Sequence, residues 1–539
     1  MSTQSNRIPD AAPGAGRSDD GDGDGDGDGD EGRRDGHRDD SLCDDGRLDD
    51  PLDEGAATTP AGRAAPGGAG ASWAQRRFAP ALAAIVAVGF AIRLAFILIR
   101  QSTAPLTGGD AFWYHFQAKL VADGQGFLHP FEYFKEGRSV PGADHPPGMT
   151  VILAVADKLG MSSAQSQRIL MSVMGMVSVV LIAYVGRRLA GPAVGLVAAT
   201  LAAVYPNIWI NDGMLMAETP FVLGIVIMLL CAYRLMDRPT WGDVAGLSAG
   251  VTLAALTRPE AVLIFPFFVL PLVLTRRGEP LGRRFGLLAV AALVPIAAFG
   301  PWLAYNMTRF DEPVLISTGA GQTFVVANCD LTYGGRNLGY WDRKCLFPPH
   351  TPEIDERDLS KRDQIYQRQA IDYMKDHVDE LPKVVAARIG RMWGVFRPDE
   401  SIVDDGYIEG RAGGEPGTGF GLVREALWSY FVLLVLAVPG AVVLVRRKVP
   451  ISPLLVAPVL ATITAAITFG ITRYRAGAEV SIVLFAAVAL VAGWHWLFDA
   501  RRGERVDAPA DATDAGTETG AADQAGGSSD GADPVPSGT

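Results

Sequence analysis

Residues 79–99 read APALAAIVAVGFAIRLAFILI, and this run decides the fold class. A helix crosses the hydrocarbon core of a bilayer with about 20 predominantly apolar residues, so the segment is long enough to span it. Further apolar runs lie near 168–186, 191–209, 218–234, 242–256, 259–275, 285–306, 426–445, 451–470 and 477–497. Several approach the lower limit of roughly 17 residues. The pattern predicts an all-α polytopic membrane protein with about ten transmembrane helices. A soluble all-helical protein would have to gather this much continuous apolar helix into one core, which the pattern disfavours.

The mean hydropathy of the whole chain, +0.17, conceals these runs. Residues 1–72 are dominated by Gly, Asp, Ala, Pro and Arg, and residues 503–539 by Ala, Asp, Gly, Ser and Thr. Neither segment can bury enough apolar surface to offset the entropy of ordering, so both are expected to be disordered tails. The net charge of −12 is concentrated in them and points to no nucleic-acid partner. The run GDGDGDGDGD at 21–30 lacks the bidentate Glu of an EF-hand and the period of calcium-binding nonapeptides. It reads as a solvated acidic repeat.

Lys and Arg in short connections set the orientation. Arg76 and Arg77 precede the first run, and Arg187, Arg188, Arg234 and Arg238 follow the second and fourth. Arg276, Arg277, Arg283 and Arg284 follow the sixth, Arg446, Arg447 and Lys448 the eighth, and Arg501 and Arg502 the last. Every second connection is basic and is expected to face the cytoplasm, as are both tails. The first run starts too far along the chain, and is too long, for a cleavable signal and reads as a signal anchor. The membrane domain is then 73–502, with outward segments at 101–167, 207–217 and 308–425.

In the first outward loop, TGGDAFWYHFQAKLVADGQGFLHPFEYFKEGRSVPGADHPP at 107–147, Phe112, Phe116, Leu120 and Val121 recur at helical spacing. They predict an interfacial helix presenting these residues to lipid. Met149–Leu159 is apolar but too short to span, which suggests a second interfacial or re-entrant piece. The loop 308–425 reads as a small outward module, with one helix marked by Tyr366, Ala370, Ile371, Met374 and Val378 and another by Leu381, Val384, Val385, Ile389 and Trp393. Beyond Pro398, the Gly-rich acidic stretch 401–421 reads as a mobile loop. Cys329 and Cys345 both fall in this outward segment and suit a disulfide. Zinc is the weaker alternative, because two Cys without paired His make a poor structural site. Cys43 and Cys231 are given no role.

Chemistry-bearing residues cluster at the outward ends of the runs. Asp110 follows Gly108-Gly109 just beyond the first run. Its carboxylate could take a proton from an acceptor hydroxyl, hold a divalent cation, or simply cap the helix that follows. Glu218, in NDGMLMAETPF, is an ionisable group at the edge of hydrocarbon, which suggests function. It could equally begin the helix in interfacial water. Asp212 is the weaker candidate in that loop. His145, before Pro146-Pro147, could donate to a phosphate oxygen or be an ordinary loop histidine. Arg473, Tyr474 and Arg475 in FGITRYRAGAEV, with Arg258 in LTRPEAV, are outward cations against the usual bias. They suit bidentate phosphate recognition, with interfacial snorkelling as the competing reading. There is no Walker-type loop or dinucleotide fingerprint, so any group transfer would draw on an activated, membrane-borne substrate.

Taken in order, Asp110, DHPPGMTVILA, LMAETPF, ALTRPEAVLIFPF and TRYRAGAEVSIVLFAAVAL resemble the C-type superfamily of polytopic membrane glycosyltransferases. The branch they resemble holds the protein O-mannosyltransferases, aminoarabinose transferases and RgtA/B/C/D-like enzymes. The segments NCDLTYGGRNLGYWDRKC and HVDELPKVVAARIGRMWGVFRP are similar to an actinobacterial subgroup. The resemblance implies transfer of a sugar from a polyprenyl-phosphate donor to a hydroxyl acceptor of a glycan, lipid or protein outside the cytoplasm, with inversion. It implies Asp110 as base or acceptor-orienting acid, and places His145 where many relatives carry a lysine against the donor phosphate. The expectation is therefore a plasma-membrane glycosyltransferase, with Asp110 and Glu218 as catalytic acids and His145, Arg258, Arg473, Tyr474 and Arg475 around the phosphate. No cofactor is required by this reading, although Asp110 and Glu218 would be the ligands of any divalent cation. A transporter or flippase of a lipid-linked glycan is the alternative. It should show intramembrane charges near the midplane and internal repeats.

Overall fold

The computed structural model describes residues 73–102, 106, 109–275, 279–352, 357–407 and 420–506. Residues 1–72, with the acidic repeat and Cys43, and 507–539 lie outside the described residues; the first four residues of the expected tail 503–539 instead continue the helix Ala476–Val506. Among those residues the regular elements are helices, with one isolated antiparallel bridge between Leu128 and Pro141.

Among the described residues six helices are long and apolar enough to cross a membrane: Phe78–Gln101, Ala164–Ala190, Glu218–Asp237, Leu281–Met307, Gly421–Arg446 and Thr472–Phe498. A seventh span arises if Pro192–Val204 and Pro206–Asp212, bent by 58° at Tyr205, are counted together. The bend has a local cause: Pro206 supplies no N–H, and Tyr205 before it adopts extended backbone. The chain is thus an all-α polytopic membrane protein, but length alone does not reach the expected ten spans. Trp241–Thr257 has 17 residues, Ser452–Ile467 has 16, and Pro259–Leu274 is broken into 3-10, π and α turns around Pro266 and Pro271.

The spans pack closely where glycine permits it. A Cβ on Gly224 would come within 2.5 Å of the Gly250 carbonyl oxygen, so Glu218–Asp237 and Trp241–Thr257 touch backbone to backbone. Within this bundle Arg93 is fully buried. Its Nε donates to Asp212 Oδ2 at 2.6 Å and its Nη1 to the carbonyls of Gly89 and Ala203. A Cβ on Gly175 would lie 2.0 Å from Asp212 Oδ2, so the glycine makes room for that carboxylate.

The loop after the first span departs from its expected form. Its helix Gly109–Ala122 is enclosed by protein: Phe112 and Leu120 are buried rather than turned to lipid. Phe112 stacks on Phe131, their rings 4.5 Å apart, while Trp113, Tyr114 and Ala118 pack with Met149 and Leu153. The periodicity marked a helix correctly but could not say that the next two short helices, Pro130–Glu136 and Gly148–Lys158, would cover it. Gly148–Lys158 itself is amphipathic, burying Met149 and Leu153 and exposing Val151 and Val155.

The segment 308–407 contains the helices Leu359–Asp376 and Leu381–Met392, close to the expected pair. Pro398–Tyr407 is helical where a loop was expected, and 408–419 lies outside the described residues. Cys329 and Cys345 form a disulfide with Cα atoms 5.9 Å apart. Two buried arginines dock the loop that it closes. Arg388 donates to the Ala327 carbonyl at 2.7 Å and to Asn328 Oδ1 at 2.9 Å, and Arg391 donates to the Leu338 carbonyl at 2.7 Å. Asp363 is buried here, accepting from the Gly321 N–H and from Gln367 Nε2. Burial raises its carboxyl to about 6 despite these two donors, and nearby Asp144 pushes in the same direction.

Two measurements check this account. Arg93→Ala would leave Asp212 as an uncompensated buried charge and should cost about 3–5 kcal/mol. A double replacement of Arg93 and Asp212 by apolar residues should recover most of that loss in detergent unfolding; equal losses would show that the pair matters only as packing. Asp363 has a raised folded pKa, so the native state binds the extra proton between the unfolded value of 3.8 and about 6. Its burden is absent below the lower value and grows as pH rises through the upper one. Asp363→Asn should therefore gain stability over the wild type by about 2 kcal/mol at pH 8 and lose that advantage near pH 4. A pH-independent difference would contradict the assignment.

Candidate functional site

Gly109 begins the loop helix in the left-handed region, φ 70°, and sets Asp110 in its first turn. Asp110 Oδ2 accepts from Arg473 Nη2 at 2.7 Å. Arg473 Nε in turn donates to Glu218 Oε1 at 2.8 Å, and the same oxygen accepts from Arg258 Nη1 at 2.9 Å. Arg258 Nε donates to Glu260 Oε1 at 2.8 Å. Acids and guanidiniums therefore alternate along one row: Asp110, Arg473, Glu218, Arg258, Glu260. His145 Nε2 lies 3.8 Å from Asp110 Oδ1, with its ring against Tyr114 at 5.0 Å and Trp113 at 5.4 Å. The Arg258 guanidinium lies over the Tyr474 ring, 4.9 Å from its centroid.

Burial differs sharply along the row. The Glu218 side chain is 0% exposed, Arg258 10%, Arg473 14% and Asp110 30%. Glu218 Oε2 has no hydrogen-bond partner among the described residues, and Glu218 lines a small cleft with Asp212, Asn211, Ser178 and Thr219. Solvent reaches the Asp110 end. Burial would raise the Asp110 carboxyl, but the Arg473 guanidinium outweighs it, helped by His145, and holds it at about 2. Burial, followed by the carboxylates of Asp110 and Glu218, pushes the Tyr114 phenol well up, so it stays protonated beside them.

Five expected site residues thus meet: Asp110, Glu218, His145, Arg258 and Arg473, with Tyr474 packed against the cluster. Arg475 does not join them. It is buried with Glu479, donates to the Met392 carbonyl at 2.8 Å and lies 3.6 Å from the Tyr430 ring centroid. As the chain turns through Thr472–Arg475, Arg473 and Arg475 face different surroundings. Cys329 and Cys345 lie apart from the row, in the segment 308–407, as a disulfide. Sequence reasoning missed Arg93 and Glu260. A lone cation inside an apolar run was the available signal for the first, and an acid two residues after Arg258 for the second.

The cation reading fits this donor set poorly. Asp110 and Glu218 both bind guanidiniums, and among the described residues no group of three or more His, Cys, Asp or Glu side chains could hold a metal ion. What the row presents instead is a guanidinium at a solvent-reached edge, beside a carboxylate and a histidine, suited to a phosphate and a hydroxyl held side by side.

The family model for dolichyl-phosphate-mannose-protein mannosyltransferase matches residues 144–305, a stretch that includes His145, Glu218 and Arg258. No curated protein matches the chain in sequence. Among solved structures, the chain is similar to the archaeal oligosaccharyltransferase AglB from Archaeoglobus fulgidus, in complex with an inhibitory peptide and a dolichol-phosphate. The identity is 12%, the TM-score 0.45, and 82% of this chain and 53% of that one are covered. It is also similar to ArnT from Cupriavidus metallidurans bound to undecaprenyl phosphate, at 13% identity and a TM-score of 0.37, over 80% of this chain and 81% of that one. The chain spans about half the length of the archaeal oligosaccharyltransferase, 53%.

Stability should separate the two acids of the row. Glu218→Ala removes the shared acceptor of two buried guanidiniums and should cost about 3–5 kcal/mol. Asp110→Asn acts on a partly exposed pair and should cost about 1 kcal/mol or less. Unfolding of both variants in the same detergent gives the comparison, and equal losses would contradict the burial gradient.

Proposed function

We propose that this protein is a membrane glycosyltransferase moving a sugar from a polyprenyl-phosphate donor to a hydroxyl acceptor at the extracytoplasmic face, with inversion at the anomeric carbon. The observation that carries the reading is Asp110, partly exposed, in direct contact with Arg473 at the open end of the row. The family match over 144–305 supports a lipid-phosphate donor. The alternating basic connections support an outward-facing site with both tails cytoplasmic. We read Trp241–Thr257, Pro259–Leu274 and Ser452–Ile467 as short crossings that complete about ten spans.

In this mechanism the acceptor oxygen forms a bond to the anomeric carbon as its proton passes to an Asp110 oxygen. The bond from the anomeric carbon to the phosphate oxygen breaks, and the polyprenyl phosphate leaves with the electron pair. Arg473, Arg258 and His145 stabilise the charge that grows on the phosphate. Glu218 touches neither substrate; it is a positioning residue that spaces the two guanidiniums. A transporter reading would draw on intramembrane charge; the buried Arg93–Asp212 pair is instead tied to the Gly89 and Ala203 carbonyls and to Thr219, as a structural pair is.

Turnover of a defined polyprenyl-phosphate sugar by the full chain in nanodiscs tests the reading. Asp110→Asn should lower the rate by about 100- to 10,000-fold without weakening donor binding. Arg473→Lys, which keeps the charge but loses the planar fork, should also impair turnover. Near-normal rates in the Asp110 variant would remove it as the base.

A further inference from the structure

The row of charges has an awkward consequence for its own chemistry. A general base works best with a pKa near the operating pH, yet Asp110 is held at about 2 by the contact with Arg473. The geometry shows which contact in the row can yield. Arg473 bridges two carboxylates, through Nε to Glu218 at 2.8 Å and through Nη2 to Asp110 at 2.7 Å. The Glu218 side is closed, with 0% exposure, and its Oε1 also holds Arg258. The Asp110 side is open, with 30% of its side chain exposed, and lies in the first turn of a helix whose preceding glycine sits in open space. An incoming anion therefore meets Asp110 as its competitor for Nη2, while Nε stays anchored on Glu218.

We infer that the donor phosphate displaces Asp110 from Arg473, so that Asp110 becomes a base only in the donor-bound protein. This rests on the phosphate-donor reading proposed above. The exchange makes no covalent bond: one charge-assisted hydrogen bond from Nη2 passes from a carboxylate oxygen to a phosphate oxygen. Released beside a second anion, the Asp110 carboxylate loses its main stabilising partner and gains a repelling one, and both changes raise its affinity for a proton. His145, 3.8 Å from Asp110 Oδ1, remains on the other side of the carboxylate and can hold its orientation during the exchange. Such a coupling orders the reaction. The acceptor hydroxyl is deprotonated only when a leaving group is in place, and without the donor Asp110 stays paired and inert.

The test is a double-mutant cycle on binding of polyprenyl phosphate to the full chain in nanodiscs, with wild type, Asp110→Asn, Arg473→Gln and the double variant. If Asp110 competes for Arg473, Asp110→Asn should bind polyprenyl phosphate about fivefold or more tightly than wild type, while losing turnover. Arg473→Gln should bind more weakly, and the double variant should bind like Arg473→Gln alone, because there is no guanidinium left to release. Should the amide disturb folding, Asp110→Ser gives the same comparison. An unchanged or weaker affinity in Asp110→Asn overturns the inference. A gain that persists in the Arg473→Gln background also overturns it, since that result reflects bare repulsion between Asp110 and the phosphate. Wild-type binding that Arg473→Gln does not weaken, or no wild-type binding at all, strikes instead at the phosphate-donor reading.

Discussion

A carboxylate with no exposed surface, Glu218, holds the site together. Burying a charge costs several kcal/mol unless cations and hydrogen bonds compensate. Glu218 obtains its compensation from Arg258, 40 residues away, and from Arg473, 255 residues away. That requirement fastens the beginning of one span, the turn after the helix Trp241–Thr257 and the entry to the last span into a single point. Asp110 is then attached through Arg473 across 363 residues. The loop after the first span is thus anchored by the same charge balance that anchors the bundle.

The same physics recurs in three other places. Arg93 meets Asp212 inside the bundle, Arg475 meets Glu479 at the head of the last span, and Arg388 and Arg391 dock the disulfide-closed loop through backbone carbonyls. Each of these guanidiniums is almost fully enclosed. Enclosure separates structural arginines from the one at the candidate site: where water is shut out, breaking the pair strands a charge, and the contact is fixed. At Asp110 the row reaches solvent through a carboxylate in the first turn of a loop helix, 30% exposed against 0% for Glu218, and that difference gives Asp110 and Arg473 a different chemical prospect from the enclosed pairs.

Much of this was legible in the sequence, for a local reason. Apolar runs, proline breaks and helical periodicity are properties of neighbouring residues, so the six long spans and the paired helices Leu359–Asp376 and Leu381–Met392 could be placed without a structure. Glu218, Arg258 and Arg473 stood out because charge at the end of an apolar run is expensive and rarely accidental, while Asp110 and His145 stood out through the glycines and prolines beside them. Other assignments failed where covering or direction decides. Phe112 and Leu120 have the spacing of a lipid-facing stripe, but two later helices cover them. Arg475 has the composition of a phosphate ligand, but the turn at Thr472–Arg475 directs it to Glu479 and Tyr430.

The sequence by itself determined an all-helical membrane protein with its chemistry-bearing side chains at the ends of the apolar runs, because hydrophobic length and backbone satisfaction leave a chain in lipid little else to form. The tertiary structure alone decided which charges meet. It put Asp110 against Arg473, gave Glu218 two guanidiniums, sent Arg475 elsewhere and sealed Arg93 over Asp212. Pairing depends on how distant segments pack and how much water the packing leaves between them, and neither is written in the spacing of residues along the chain.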